Sequence, residues 1–220
     1  MIYLTGDVHG DKGRFAAAVR AGIRREDTLV VCGDFGFLWK GGEQEERLLR
    51  WIGKRSYRVV FVDGCNENHK KLAEYPVEEL GGAPARHIGG NLYELLRGEV
   101  YELEGKRLFA FGGGNPVEEF APNRNDPLLL PTDGEIARAW ETLEKAGNRV
   151  DLIVTHDAPG RLRQFLAPNS LEEVTHLHAF LEEVGKRVEF RRWYFGKYHA
   201  DRMIPPHYQM LFTSVIKFEP

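Results

Sequence analysis

The feature that most restricts how this chain folds is a pattern met five times. A short apolar run stops, and glycine with an acidic, histidine or asparagine side chain follows at once. It occurs at Leu4–Thr5–Gly6–Asp7–Val8–His9–Gly10, at Val31–Cys32–Gly33–Asp34–Phe35–Gly36 and at Phe61–Val62–Asp63–Gly64–Cys65–Asn66–Glu67–Asn68–His69. It returns at Val154–Thr155–His156–Asp157 and at Tyr194–Phe195–Gly196–Lys197–Tyr198–His199. In an open sheet with helices outside, the carboxyl ends of the strands form the ligand crevice. Five such ends converge nitrogen and oxygen donors there. A mixed carboxylate and imidazole set suits Mn²⁺, Fe²⁺, Co²⁺ or Zn²⁺. Asp7 and His9 face one ion only if the backbone leaves the strand and turns, which Gly6 and Gly10 permit. Taken singly, an Asp-x-His is commonly a surface pair and a Gly-Asp a turn starter. The ordered set is what points to metal.

The segments between these points alternate in type. Met1–Leu4, Thr28–Cys32, Arg58–Val62 and Asp151–Val154 read as strands. Phe15–Ile23, Glu45–Lys54, Asp133–Ala146 and Leu171–Val184 read as helices, because apolar residues recur three and four apart. Leu48, Leu49 and Ile52 form one such stripe; Ile136, Ala139, Trp140 and Leu143 form another. A third runs through Leu171, Val174, Leu177, Phe180 and Leu181, and Asp133 is the expected cap of its own helix. Lys70–Glu74 begins a short helix that Pro76 ends. In the middle, Ala85–Ile88, Leu92–Leu96, Val100–Leu103 and Leu108–Phe111 are short strands split by glycine-containing turns, the pattern of antiparallel hairpins. Trp193–Phe195 and Tyr208–Phe218 supply the last strands. Gly112–Pro131 is a long loop rich in glycine, asparagine and proline; loops of that length inside a domain are commonly functional, and this one is expected near the site.

Composition excludes several classes. With 220 residues, one domain is the expectation. Lys plus Arg is 30 and Asp plus Glu is 33, so the net charge is −3, which argues against broad polyanion binding. Apolar residues make up 42% and charged residues 29%, an ordinary globular balance. Cys32 and Cys65 make no disulfide framework, so a reducing compartment is expected. No basic leader precedes an apolar stretch, and no apolar run approaches the roughly 20 residues of a bilayer span. The expectation is a cytoplasmic protein with no membrane partner.

At the five motifs the chain resembles the calcineurin-like metallophosphoesterase family, whose signature runs D-x-H, G-D, G-N-H-[DE], a single H and G-H-x-H. Asp7 and His9 match the first element, Asp34 the second and His156 the fourth. The likeness spans Gly6 to His199, and Gly33–Trp39 and Tyr194–His199 look like a branch of compact bacterial and phage members. The resemblance implies an α/β fold, a four-layer α/β/β/α sandwich with a two-metal site at the strand C-terminal ends. It implies that Asp7, His9, Asp34 and His199 hold the first metal. The second would share Asp34 and take His156, the motif Asn and the first His of G-H-x-H. The implied cofactor is one or two divalent ions (Mn, Fe, Zn or Co). The implied reaction is hydrolysis of a phosphate mono- or diester, nucleotides included, by a metal-activated water.

The departures concentrate on the second metal. Without gaps, Cys65 stands at the metal-binding Asn and Asn66 at the catalytic His. A one-residue slip restores Asn66 as ligand and leaves His69 as the nearest imidazole to serve the leaving group. Cys65 is then either a thiolate ligand or a small buried hydrophobe. Lys197 replaces the first His of the last element. It ligates after losing a proton, or stays charged in place of the missing cation, or points to solvent beside a lapsed site. Arg14 opens the first helix and either meets substrate phosphate or is solvated; Asp157 and Asp201 either orient the neighbouring histidines or are only exposed carboxylates. Two other functions stay open. A protein Ser/Thr phosphatase is suggested by Gly6–Gly10, but Phe35–Trp39 is apolar where those enzymes carry a charged continuation. Lys197 and the Cys65–Asn66 change argue for a weakened or inactive one-metal protein that binds nucleotide or a partner.

Overall fold

The apolar runs are strands because alternate residues along them find two different cores. The computed structural model describes residues 1–115, 126–168 and 174–219. The strands are β1 (Ile2–Thr5), β2 (Thr28–Cys32), β3 (Arg58–Val62), β4 (Val77–Leu80), β5 (Ala83–Gly89), β6 (Leu92–Leu95) and β7 (Glu99–Leu103), then β8 (Lys106–Phe111), β9 (Leu152–Thr155), β10 (Arg192–Phe195), β11 (Arg202–Ile204), β12 (Tyr208–Met210) and β13 (Ile216–Lys217). The helices are α1 (Gly13–Arg20), α2 (Glu43–Gly53), α3 (His69–Leu72), α4 (Asp133–Lys145), α5 (Gly160–Leu166) and α6 (His176–Arg187). The chain is a mixed α/β protein with two mixed sheets.

One sheet has the order β13-β1-β2-β3-β6-β5-β4 and the other β11-β12-β10-β9-β8-β7. Within the first, β1, β2, β3 and β6 are parallel neighbours; within the second, β8, β9, β10 and β12 are. Antiparallel strands close the edges of both. The predicted hairpins are present, but β6 and β8 each also join a parallel ladder.

Three apolar clusters follow from the alternation. Ile2, Leu4, Val30, Cys32, Val60 and Val62 share one with Leu108, Ala110, Leu152, Val154 and Tyr194 of the other sheet. Tyr3, Leu29, Val31, Val59 and Phe61 point the other way, against Phe15, Ala18, Leu49 and Ile52 of α1 and α2. Phe109, Phe111, Ile153, Trp193 and Phe195 pack on Ala139 and Leu143 of α4 and on Leu177, Phe180, Leu181 and Val184 of α6. Each fully buried large side chain contributes about 1.5–3 kcal/mol. Trp193 is wholly buried, and its indole N–H donates to Thr155 Oγ1 at 2.9 Å, so the burial leaves no polar debt.

Local details correct the sequence reading. Thr132, not Asp133, caps α4: its Oγ1 accepts the Glu135 N–H at 3.2 Å while Glu135 Oε2 accepts the Thr132 N–H at 2.7 Å. Helix α6 starts at His176; Val174 precedes it and is exposed, and Leu171 lies outside the described residues. Part of the 112–131 loop also lies outside them. Strands β4 and β11 and helix α5 were not expected. They are short or mostly exposed, so no apolar run marks them. No described helix is long and apolar enough to cross a membrane.

A buried ionic cluster ties β3 to the hairpin of β5 and β6. Asp63 pairs with Arg97, whose guanidinium also donates to the Leu128 carbonyl at 2.8 Å; Glu94 accepts from Arg86 Nε at 2.8 Å. Burial, reinforced by the Asp63 charge, pushes the Glu94 carboxyl up to about 7 despite Arg86. An acid raised in the folded state binds its proton more tightly folded than unfolded. Its contribution is therefore present below about 4.5 and lost as pH rises toward 7. Glu94→Gln should remove that loss, a slope of at most about 1.4 kcal/mol per pH unit. Urea midpoints of wild type and variant between pH 5 and 7 test it; parallel pH profiles would refute it.

Candidate metal centre

Parallel order puts the carboxyl ends of β1, β2, β3, β8, β9 and β10 on one edge of the two sheets, and every sequence motif follows one of them. The turns there need unusual backbone. His9, Asp34, Lys197 and His199 all have positive φ, at 46°, 45°, 66° and 48°. Side chains rarely adopt this region, and strain of this kind gathers at functional sites. Glycine makes the close approaches possible. A Cβ on Gly196 would strike the Asp7 carboxylate, one on Gly64 the Asp34 carboxylate, and one on Gly33 the His156 ring.

Backbone hydrogen bonds knit the turns together. The Val8 and His9 N–H groups donate to the Asp34 carbonyl at 2.9 and 2.8 Å. Within the second sheet, Gly196 N–H donates to the His156 carbonyl at 3.1 Å; across the sheets, Lys197 N–H donates to Asp7 Oδ1 at 3.0 Å.

Two ligand groups result. Asp7, His9 and His199 form one, and Asp34, Cys65 and His156 the other, each with donor atoms within 4.8 Å of one another. In the outer group His9 Nε2 faces His199 Nε2 at 3.0 Å, and His199 Nε2 lies 3.3 Å from Asp7 Oδ2. The inner group is buried throughout. Asp34 stands between the two: Oδ2 is 3.8 Å from His9 Nε2 and Oδ1 is 3.5 Å from His156 Nε2.

The residues fit a metal on the structure's own terms. Asp7 Oδ2 and His156 Nε2 are buried without a hydrogen-bond partner. Such atoms are costly unless a cation meets them. The electrostatics agree. Burial alone would lower the His156 imidazole, yet the Asp34 carboxylate and Cys65 raise it well above its ordinary value. Burial would raise Asp34, but His156 and the Asn66 hydrogen bond bring it below the ordinary carboxylate range. The cluster is short of positive charge.

The altered positions are resolved. Cys65 stands among the inner ligand atoms, with its thiol pushed up by burial in spite of Lys197. Asn66 donates from Nδ2 to Asp34 Oδ2 at 2.7 Å, and its own N–H and that of Cys65 donate to Asp34 Oδ1 at 2.8 and 2.6 Å. Lys197 is 5% exposed, which removes the solvent-pointing reading. Its Nζ lies 3.4 Å from Asp157 Oδ2 and 4.0 Å from Cys65 Sγ, and it donates to the Asn115 carbonyl.

Two expected residues stand elsewhere. Arg14 is turned inward. It donates to Thr5 Oγ1 at 2.9 Å, to the Asp7 carbonyl at 3.3 Å and to the Phe212 carbonyl, bracing the turn under Asp7 instead of facing the mouth. His69 faces Asp63 at 3.2 Å and lines a separate groove of about 380 Å³ with Leu72, Pro84 and Arg97. Asp201 accepts from Phe212, Thr213 and Ser214 and staples that turn. Glu67 and His178 were not singled out. Glu67 accepts from Phe35 N at 2.5 Å and Gly64 N at 2.7 Å, joining two motif turns. His178 sits on α6 with no motif around it.

No family model matches the chain, and no curated protein matches it. Among solved structures, a phosphopantetheinyl hydrolase from Mycobacterium tuberculosis is similar at 15% identity, over 97% of this chain and 88% of that one, with a TM-score of 0.47. A protein of unknown function from Aquifex aeolicus is similar at 17% identity, over 72% of this chain and 79% of that one, with a TM-score of 0.35. Both likenesses are distant.

Gly196→Ala should drive a methyl into Asp7. The expected result is at least a tenfold loss of Mn²⁺ affinity with a destabilisation of about 1–3 kcal/mol. Calorimetric titration and a denaturant melt test it; unchanged metal affinity would show that Asp7 is not held for a ligand role.

Proposed function

We propose that the chain is a metal-dependent phosphoesterase with one divalent ion and a lysine ammonium where a second ion would otherwise stand. The observation that carries the metal part is Asp7 Oδ2 of the outer group, a buried ligand atom without a hydrogen-bond partner. The phosphate-ester part is supported by the motif resemblance, and the three apolar clusters support the four-layer α/β/β/α arrangement that goes with it. Asp7, His9, Asp34 and His199 would hold the ion. When bound, it supplies Lewis-acid polarisation and a water of lowered pKa.

The remaining roles belong to side chains. His9 and His199 are 35% and 46% exposed, so the outer group is the mouth through which a phosphate mono- or diester enters. Lys197 offers charge-assisted hydrogen bonds to a phosphoryl oxygen from the inner side. Asn66 orients Asp34 with one amide hydrogen and has a second to give a substrate oxygen. Cys65 lines the inner group beneath Lys197.

A second reading has one observation in its favour. The place of the leaving-group histidine is filled by Asn66, and His69 is turned to Asp63, which fits a weakly active or purely binding one-metal protein. The Ser/Thr phosphatase reading loses ground because Phe35, Phe37 and Leu38 are buried in the α1 and α2 core.

Loading with Mn²⁺, desalting and metal counting by mass spectrometry should give one ion per chain, and two in Lys197→His. Two ions in the wild type would overturn the ammonium assignment. Hydrolysis of p-nitrophenyl phosphate and bis(p-nitrophenyl) phosphate by the loaded protein tests the enzymatic part, and its absence leaves the binding reading.

A further inference from the structure

We propose that Asp157, oriented by His178 from the first turn of α6, is the positioning residue that holds the Lys197 ammonium at the inner side of the centre. The inference rests on the reading of Lys197 as the inner cation. It concerns residues that no motif assigns.

Asp157 follows the ligand His156 directly and is wholly buried. Its Oδ1 accepts the Tyr198 O–H at 2.7 Å and the Ala158 N–H at 2.8 Å. Its Oδ2 faces His178 Nε2 at 3.1 Å and Lys197 Nζ at 3.4 Å. A buried carboxylate with this many donors is anchored, and one with an ammonium beside it is also neutralised.

The direction of the His178 bond is fixed from its other side. His178 Nδ1 accepts the Thr175 N–H at 3.0 Å, which closes the N-terminal cap of α6. A nitrogen that accepts cannot be the one that carries the proton in neutral imidazole, so Nε2 bears it and donates to Asp157. The chain of contacts thus runs from the start of a 12-residue helix, through His178 and Asp157, to the ammonium.

Lys197 is therefore held at both ends. Its N–H donates to Asp7 Oδ1 at 3.0 Å, its φ is 66°, and its Nζ meets the Asp157 carboxylate and the Asn115 carbonyl. A lysine stem is flexible, and its charge acts at one point only when the head is located as firmly as the backbone. Asp157 supplies the charged partner at that location, beside the Asn115 carbonyl and Cys65, where Nζ stands 4.0 Å from Sγ.

Lysine-selective ¹H–¹⁵N spectra of the ¹⁵N-labelled full chain give the first readout. A buried, hydrogen-bonded ammonium exchanges slowly, so wild type should show a signal that Lys197→Met removes. Asp157→Asn, which keeps the shape of the side chain, should abolish or broaden it while circular dichroism stays unchanged. An unaltered Lys197 signal in Asp157→Asn overturns the proposal, whether or not the protein hydrolyses esters. If Asp157→Asn does not fold, His178→Ala is read the same way, with faster exchange expected and an unchanged signal overturning the role.

The second readout is a double-mutant cycle on p-nitrophenyl phosphate turnover. Asp157→Asn should lower kcat about 10- to 100-fold, the range that partners of site ligands command. In the Lys197→Met background it should cost nothing more. Additive losses would overturn the proposal. A missing Lys197 signal in a wild type that binds two ions would instead mark failure of the inner-cation reading.

Discussion

The Asp34 carboxylate is the interaction on which the rest of the centre depends. It is buried, accepts three N–H donors from Cys65 and Asn66, and faces the outer histidine with one oxygen and the inner one with the other. Those three donors come from the turn after β3, while its own carbonyl receives the turn after β1. One residue therefore sets the spacing of three strand ends. Its positive φ is the conformational cost of reaching all of them.

Around that residue the two sheets meet as complementary halves. The first sheet contributes Asp7, His9, Asp34, Cys65 and Asn66; the second contributes His156, Lys197 and His199. Beyond the shared apolar cluster, polar contacts such as Lys197 N–H to Asp7 Oδ1 and His156 Nδ1 to the Cys32 carbonyl fix the halves in register. The glycines in the turns are what let these backbones approach, because a methyl at Gly196 or Gly64 would occupy carboxylate space.

Much of this was legible in the sequence. Strands β1, β2, β3, β9 and β10 are continuous apolar runs because both of their faces are covered, and the residues that leave them include the candidate ligands. What was not legible depends on direction after a turn. His69 and Asn66 are three apart, yet one points to Asp63 and the other to Asp34, and no periodicity predicts that. Arg14 opens a helix at the site but its guanidinium finds the Phe212 carbonyl, a partner from the far end of the chain. His178 went unmarked for a different reason: it lies on an amphipathic helix, where a buried histidine reads as core. The cap of α4 went to Thr132 because a capping box needs Glu135 in reply, a pairing stronger than a lone Asp133.

The burial contrast between the two groups has a consequence for supply. The outer imidazoles are open to solvent, so whatever they hold exchanges with the surroundings. On the proposed reading the inner positive charge belongs to a side chain, and a side chain cannot be chelated, diluted or outcompeted by a rival ion. A centre built this way keeps its inner positive charge through metal starvation. Its occupancy then follows free ion concentration to the first power, where a centre that loads two exchangeable ions follows a steeper law.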